Sequence, residues 1–293
     1  CTGYIGFHIC EMLEVKKIPY FGIDNFSRSL PKNVINIKKF SKIDIASNKI
    51  PLMLKSKKIH TVIHAAAFSF PPESEKNKST YLKNNIKKTK KFIDNCSKSK
   101  IKKFIFLSSS NVYNFKTKFI KPAKENQKLN PENYYGKTKS VIEKYLNKKF
   151  TTCIILRLFN IAGYTNKNKN HFYEFKNKFR RIMPVITEAF KKKTLLKINL
   201  VKKKKRLIFP ARDFVHIQDF LNIILKIIKR KSTNLTIMNV GNEKLIYLDT
   251  VINLFEKLTN KKIIYKKKFY QIGNYNYTLA NNSKLKKELN YNF

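Results

Sequence analysis

Glycine, proline, tryptophan and acid are what this sequence has least of. Among 293 residues there are seven glycines, nine prolines and no tryptophan, which excludes a collagen-like chain or a long Gly/Pro-rich linker. The four cysteines, Cys1, Cys10, Cys96 and Cys153, form no CxxC pair and no zinc-like spacing, so neither a disulfide scaffold nor a metal site is expected. No apolar run approaches the ~20 residues needed to span a bilayer, and no charged leader with an apolar core is recognised. A cytoplasmic, non-membrane protein with reduced thiols is expected. Acid is scarcer still: 18 acidic residues stand against 63 basic ones, for a formal charge of +45.

That charge would ordinarily point to a nucleic-acid partner. Only seven of the basic residues are arginine, however, and the lysines are spread along the whole sequence. A dedicated nucleic-acid surface favours clustered arginine with aromatic stacking residues. The enriched residues, Lys, Asn, Ile, Phe and Tyr, share A/T-rich codons, and coding bias explains them more simply than polyanion binding. What remains is ample for a core, since 42% of residues are apolar and the chain is long enough for one large α/β domain with a smaller lobe.

Apolar and amphipathic segments alternate through the first half. Ile5, Ile9, Met12 and Leu13 fall at helical spacing, and PYFGID reads as a strand. HTVIHAAA reads as a second strand, Leu82, Ile86, Ile93 and Cys96 stripe a lysine-coated helix, and KKFIFLSSS reads as a third strand. A helix burying Val141, Ile142, Tyr145 and Leu146 then leads to the strand TTCIILRLFN. This βαβα order implies a doubly wound parallel sheet covered on both faces. Residues 164–212, with the run Lys202 to Lys205, show few clean periods and are expected to be loop-rich. Helical periodicity returns in HIQDFLNIILKIIKR and strand character in LTIMNVG, followed by a helix near 247–259, a strand near 262–266 and a short helix near 283–289. Residues 1–160 with 214–242 are expected to form a dinucleotide-binding domain, and 161–213 with 243–293 a smaller substrate lobe.

Each glycine in so glycine-poor a chain marks a constrained position. Gly3 and Gly6 open an amphipathic helix at the spacing of the last two glycines of G-x-x-G-x-x-G, a loop that turns backbone N–H groups and a helix N-terminus toward a pyrophosphate. Asp24 ends the next strand, where a carboxylate accepts the adenosine-ribose hydroxyls and repels a 2′-phosphate, so NAD is expected rather than NADP. Arg28 is the counter-signal. The sequence begins with Cys1 inside this motif, and a first strand and first glycine are expected upstream of it.

In NYYGKTKSVIEKYL, Tyr135 and Lys139 are four residues apart and share a helix face. Lowering a phenol pKa from 10 to 7 takes about 4 kcal/mol of preferential stabilisation of the phenolate. A desolvated ammonium together with a positively charged nicotinamide can supply it, which makes Tyr135 a candidate general base. Ser108 to Ser110 close an apolar strand at the sheet edge where open α/β sheets bind ligands, and a hydroxyl there can hold a substrate oxygen. His64 and His216 are read as satisfied polar residues and Arg157 as a structural ion-pair partner. Asp213 and Asp219 are read as structural rather than metal ligands.

The motifs TGYIGFHIC, FGIDNFS, IDIAS, TVIHAAA, KNNIKKT, KKFIFLSSSNVY, YYGKTK, LRLFNIAG, RDFVHIQD and NVGNE occur in the order found in the extended short-chain dehydrogenase/reductase family. Within it the chain most resembles the NAD-dependent nucleotide-sugar epimerases and dehydratases of the UDP-glucose 4-epimerase type, over nearly its whole length. The resemblance implies a Rossmann-type fold, here without its first strand, and a catalytic set of Ser109, Tyr135 and Lys139. It implies cofactor contacts from Gly3, Tyr4, Ile5, Gly6, Asp24, Asn25, Asp44, Ile45, Ala65, Ala66, Ala67, Asn85 and Phe159. Asn160 and Arg212 match positions that bind the nucleotide-sugar diphosphate, and homodimers form through helices equivalent to 79–97 and 134–149.

Three departures bear on the activity. Ser110 and Asn111 stand where the dehydratases place an Asp-Glu pair, so 4,6-dehydration lacks its acid. Ser69 replaces a lysine common in the epimerases, and Gln271 to Asn274 replace an Arg-x-Gly-Asp segment. An epimerase is the reading that follows, with a net oxidoreductase acting on a sugar or small carbonyl compound, or an inactive polyanion-binding relative, as alternatives.

Overall fold

The computed structural model describes residues 1–34, 37–99, 101–115, 119–150, 152–165, 181–203, 206–230, 234–269 and 277–293. The glycine pair opens α1 (Tyr4–Val15), followed by β1 (Gly22–Asp24) and β2 (Phe40–Lys42), which pair in parallel. Next come α2 (Ile50–Ser56), β3 (Thr61–His64), α3 (Pro71–Lys76) and α4 (Lys78–Tyr81), and a π-helical stretch, Leu82–Lys88, leads into α5 (Thr89–Lys98). β4 (Lys103–Ser109) ends in a 3-10 turn, Ser110–Val112, and α6 (Tyr134–Leu146) and β5 (Cys153–Leu158) follow. The second half supplies β6 (Asn160–Ala162), α7 (Ile182–Lys191), β7 (Leu196–Lys203), β8 (Arg206–Ile208), β9 (Ala211–His216), α8 (Ile217–Lys229), β10 (Thr236–Val240), β11 (Leu245–Tyr247), α9 (Leu248–Thr259), β12 (Tyr265–Phe269), β13 (Tyr277–Thr278) and α10 (Ser283–Leu289).

The central sheet has the order β10-β5-β4-β3 with every pair parallel. Strand alternation sends Ile105 and Leu107 of β4 into a core shared with α1, α8 and α10, and Phe104 and Phe106 into one shared with α2, α5 and α6. Helices therefore cover both faces, and the sheet is doubly wound, as the alternation of apolar segments implies. α8 contributes Phe220, Ile223, Ile224 and Ile227, all fully buried, and each such side chain stabilises the fold by about 1.5–3 kcal/mol. Among the described residues no strand joins β1 and β2 to β3. The segment LTIMNVG contains β10 and pairs with β5, whereas β9 belongs to a separate sheet with β11, β13 and β6.

Several local expectations are revised. The π-helical stretch adds a residue to its turn and rotates the helix face, so Leu82 is exposed and Ile86 only half-buried, while Asn85 and Thr89 face inward. Val141 on α6 is exposed as well, because Ile142 and Leu146 sit on the core-facing line and Val141 lies about 100° away from Ile142. The described residues within 164–212 are more regular than their sequence suggests. β7 alternates Leu196, Ile198 and Leu200 into a core with Ile186, Ala189, Ile252 and Ile263, and it pairs with β8 and β12. The strand expected near 262–266 runs over Tyr265–Phe269, and β13 follows it. Lys204 and Lys205 and the segment Gln271 to Asn274 lie outside the described residues. Among the described residues no helix is long and apolar enough to cross a membrane, and no group of three His, Cys, Asp or Glu side chains could hold a metal ion.

Candidate active site

The C-terminal ends of β1, β3 and β4 meet the N-termini of α1 and α6 around a cleft of about 410 Å³. Of the residues picked from sequence, Gly3, Tyr4, Ile5, Gly6, Asp24, Asn25, Ile45, Ala65, Ala66, Ala67, Tyr135 and Lys139 line it. The strand expected through Ala67 stops at His64, which frees Ala65 to Ala67 to form part of the wall. Gly3 is the N-cap of α1, and a Cβ placed there would meet no atom within 4 Å. Its backbone is thus open to the cleft at the positive end of a helix, a cradle that fits a pyrophosphate. The Gly3→Ala variant should fold with an unchanged melting temperature, because its φ of −75° suits alanine. It should lose roughly tenfold or more in NAD affinity by calorimetric titration, since the methyl occupies the ligand's approach.

Asp24 lines the cleft and is already well supplied with donors. It accepts from Thr2 N at 3.1 Å, Phe26 N at 2.8 Å and Ser29 Oγ at 3.2 Å. Other sequence-picked residues lie outside the lining. Asp44 takes hydrogen bonds from Asn25 Nδ2 at 2.7 Å and Ala46 N at 2.9 Å and pairs with Lys88. Asn85 bonds both backbone groups of Phe68, donating to O at 2.8 Å and accepting from N at 2.9 Å, and so braces the loop after Ala67. Phe159 packs against Phe115. Asn160 donates to Asp213 O at 3.3 Å and Thr278 Oγ1 at 3.1 Å. Arg212 lies on β9 and donates to the neighbouring Ala211 carbonyl at 2.8 Å.

The Tyr135 end is assembled by the start of α6. Asn133 caps the helix by accepting from Gly136 N at 2.8 Å, and its Nδ2 donates to Asn111 Oδ1 at 2.8 Å. Asn111 in turn donates through Nδ2 to Ser109 Oγ at 3.1 Å. The Ser109 hydroxyl lies near enough to the Tyr135 phenol to favour its ionised form. Burial pushes that phenol up to about 12, against which the Ser109 hydroxyl works. Lys139 donates to Leu107 O at 2.7 Å and sits 6.0 Å from the centre of the Tyr135 ring. Burial draws the lysine down to about 7 while Glu143 holds it up. The protein alone thus leaves both groups biased toward neutrality, and Lys139 does not by itself acidify the phenol. Bringing Tyr135 from about 12 to 7 takes about 7 kcal/mol, so further positive charge must be present when it acts.

Sequence reasoning missed Arg181 and Glu73. Arg181 lines the cleft with its guanidinium carbon 3.4 Å from the centre of the Tyr4 ring, and burial brings it down to about 10. The signal was available: it is an arginine in a chain whose habit is lysine, the same mark that singled out Arg212. Arg28 stacks 4.1 Å over Phe68 and pairs with Glu73 at 2.9 Å, so a carboxylate already engages the residue that spoke against NAD. His64 stacks on Phe92 and Phe106 with burial pulling it down to about 3, and His216 caps α8 by accepting from Gln218 N at 3.2 Å.

Comparison with known proteins supplies what geometry cannot. The family model described as NAD dependent epimerase/dehydratase family matches residues 1–241. The chain belongs to the NAD-dependent epimerase/dehydratase family. Its similarity to a UDP-glucose 4-epimerase of Dictyostelium discoideum is 26% identity, covering 99% of this chain and 88% of that protein. Among solved structures, UDP-glucose 4-epimerase of Stenotrophomonas maltophila, with bound NAD and formylated UDP-arabinopyranose, superposes with a TM-score of 0.89 at 20% identity, covering 99% and 90% of the two chains. UDP-glucose 4-epimerase of Bifidobacterium longum, in complex with NAD+ and UDP, gives a TM-score of 0.88 at 22% identity, covering 99% and 91%. For this epimerase/dehydratase-family chain the cofactor is the NAD of the family, and the doubly wound fold is that of the structures it matches.

Proposed function

We propose that the protein is a nucleotide-sugar 4-epimerase that uses NAD. The observation that carries this reading is the placement of Tyr135, beside Ser109 and one turn from Lys139, on a cleft whose other wall is the Gly3 end of α1. Gly3, Gly6, Asp24 and Ala65 to Ala67 would hold the dinucleotide, and NAD supplies acceptance and return of a hydride at the sugar C4. Ser109 holds the C4 hydroxyl oxygen and Tyr135 removes its proton. Lys139 supports the phenolate that Tyr135 must be before it takes that proton, so that two buried groups, each disfavoured as an ion alone, are charged together as a pair, and Tyr135 becomes the neutral phenol on accepting it. Tyr135 would return the proton to the same oxygen as the sugar is reduced again on its other face, which would restore the phenolate and make the cycle redox-neutral.

The absence of acid at positions 110 and 111 favours epimerisation over dehydration. Asn111 is instead engaged with Ser109 and Asn133 and has no proton to give a departing hydroxyl. Residues 1–160 with 214–242 serve as the NAD-binding domain in this reading, and the remainder with Asn160 and Arg212 as the side that takes the sugar diphosphate. Leu82 and Val141 are exposed on the helices at 79–97 and 134–149, which suits pairing of two copies through them. Incubating the purified protein with a panel of UDP-hexoses tests the reading. Epimer formed without added NAD supports it, stoichiometric NADH formation would make it a net oxidoreductase, and an intact fold with no turnover would overturn it.

A further inference from the structure

On α6, Tyr135, Lys139 and Glu143 follow one another at four-residue intervals and lie along one line of the helix. Glu143 is 3% exposed and has no part in the chemistry above. Its carboxylate accepts from Ser108 Oγ at 2.5 Å, Arg157 Nε at 3.1 and 3.2 Å, and a terminal Arg157 nitrogen at 2.7 Å. Arg157 is held from the far side as well, donating to Tyr113 Oη at 2.7 Å and Glu125 O at 2.9 Å. So extensive a fixation of one carboxylate directly behind Lys139 calls for a reason.

The surroundings of Lys139 supply one. Among the described residues its ammonium meets only neutral groups at contact, the Leu107 carbonyl and the Phe106 ring face, whose centre is 4.7 Å away. The titratable and charged groups around it are Tyr135 and Glu143 from α6, His64 from β3 and, beyond Glu143, Arg157 from β5. Tyr135 and His64 are neutral under burial, and Arg157 is a cation. Glu143 is the sole anion of this set.

We propose that Glu143 is a positioning residue of the active site, acting through Lys139: its carboxylate, one turn along α6 and hydrogen-bonded by Arg157 and Ser108, favours the ammonium form of Lys139 that supports the Tyr135 phenolate. The proposal rests on the reading of Tyr135 and Lys139 as the working pair, but its first readout needs no turnover. The sign follows from charge. A carboxylate favours the ammonium, so removing Glu143 lowers the pH at which Lys139 loses its proton, and removing Arg157 while keeping Glu143 raises it.

The test uses the full chain as wild type, Glu143→Gln, Glu143→Asp and Arg157→Met. Acetylation of Lys139 is followed against pH by peptide mass spectrometry, and kcat and KM for a UDP-hexose are followed over the same range. Glu143→Gln should move the Lys139 midpoint down by about one pH unit and Arg157→Met should move it up, the scale of shift a nearby charge produces. In Glu143→Gln the alkaline limb of kcat should move the same way, with kcat at pH 8 reduced roughly tenfold and KM changed little. Glu143→Asp should restore most of both. A purely structural residue would change yield and melting temperature and leave the midpoint where it was. A folded Glu143→Gln within about 0.3 pH unit of wild type, or an Arg157→Met shift in the same direction as Glu143→Gln, overturns the proposal. If Glu143→Gln does not fold, the direction of the Arg157→Met shift decides. Opposed midpoint shifts in a protein without turnover would leave the charge coupling standing and overturn the epimerase reading instead.

Discussion

Tyr135→Phe should reduce epimerase turnover by about 10³ to 10⁴-fold, the scale of a positioned general base, while the protein still folds and still binds NAD. Phenylalanine keeps the packing of a ring that is 7% exposed and removes only the oxygen. The Ser109 oxygen still accepts from the Asn111 amide at 3.1 Å, while its own O–H loses the phenol beside it, a cost of about 1 kcal/mol that should move the melting temperature by only a few degrees. Because the loss is of a group used in the transition state, kcat should fall with little change in KM. Turnover within about tenfold of wild type would remove Tyr135 from the mechanism.

Gly136→Ala should have the largest effect on stability. An added Cβ would lie 2.0 Å from Asn111 O, 2.8 Å from Asn111 C and 3.0 Å from Pro131 Cβ. The first two contacts are with backbone, which cannot swing aside as a flexible side chain can. Either α6 lifts from the Ser110–Val112 turn or that turn moves, and both separate Tyr135 from Ser109. Overpacking of this kind costs about 1–3 kcal/mol when side chains can adjust and more when backbone must shift. The melting temperature should therefore drop on the order of 5–10 °C, with activity lost at temperatures where the fold survives. An unchanged melting temperature and rate would show that the helix start is not seated as described.

Gly136 also shows why much of the site is legible in the residues alone. A glycine retained in so glycine-poor a chain sits beside the candidate base, and it is what lets α6 approach the end of β4 closely enough for the tyrosine to reach a serine. The βαβ alternation is readable because β4 and β5 are buried on both faces and so carry apolar runs, Phe104 to Leu107 and Cys153 to Leu156, a pattern that lysine enrichment cannot mask. Surface elements are harder. β7 buries alternate residues, Leu196, Ile198 and Leu200, and its neighbouring lysines make it resemble loop.

The π-helical stretch cannot be read from periodicity, because one extra residue in a turn moves Asn85 into the place a 3.6-residue period gives to apolar side chains. Asp44 illustrates a different limit. A carboxylate after a strand in this family invites a cofactor role, and two of the partners that hold it here, Asn25 and Lys88, are not read from its own segment. Which face a polar side chain turns to the cleft depends on tertiary partners that local sequence does not encode. The same holds for Glu143, whose interest lies in Arg157 and Ser108 on two different strands.

The central claim is that one phenol, set beside a serine hydroxyl and a buried lysine, governs passage of a hydride from a sugar C4 to NAD and back. The most direct measurement is turnover of UDP-hexose deuterated at C4 by the purified protein without added cofactor, with NMR and mass spectrometry of the product. The account predicts the C4 epimer with deuterium retained at C4, because the hydride never leaves the site. Loss of the label to solvent, or no epimer from a folded protein carrying NAD, would contradict it.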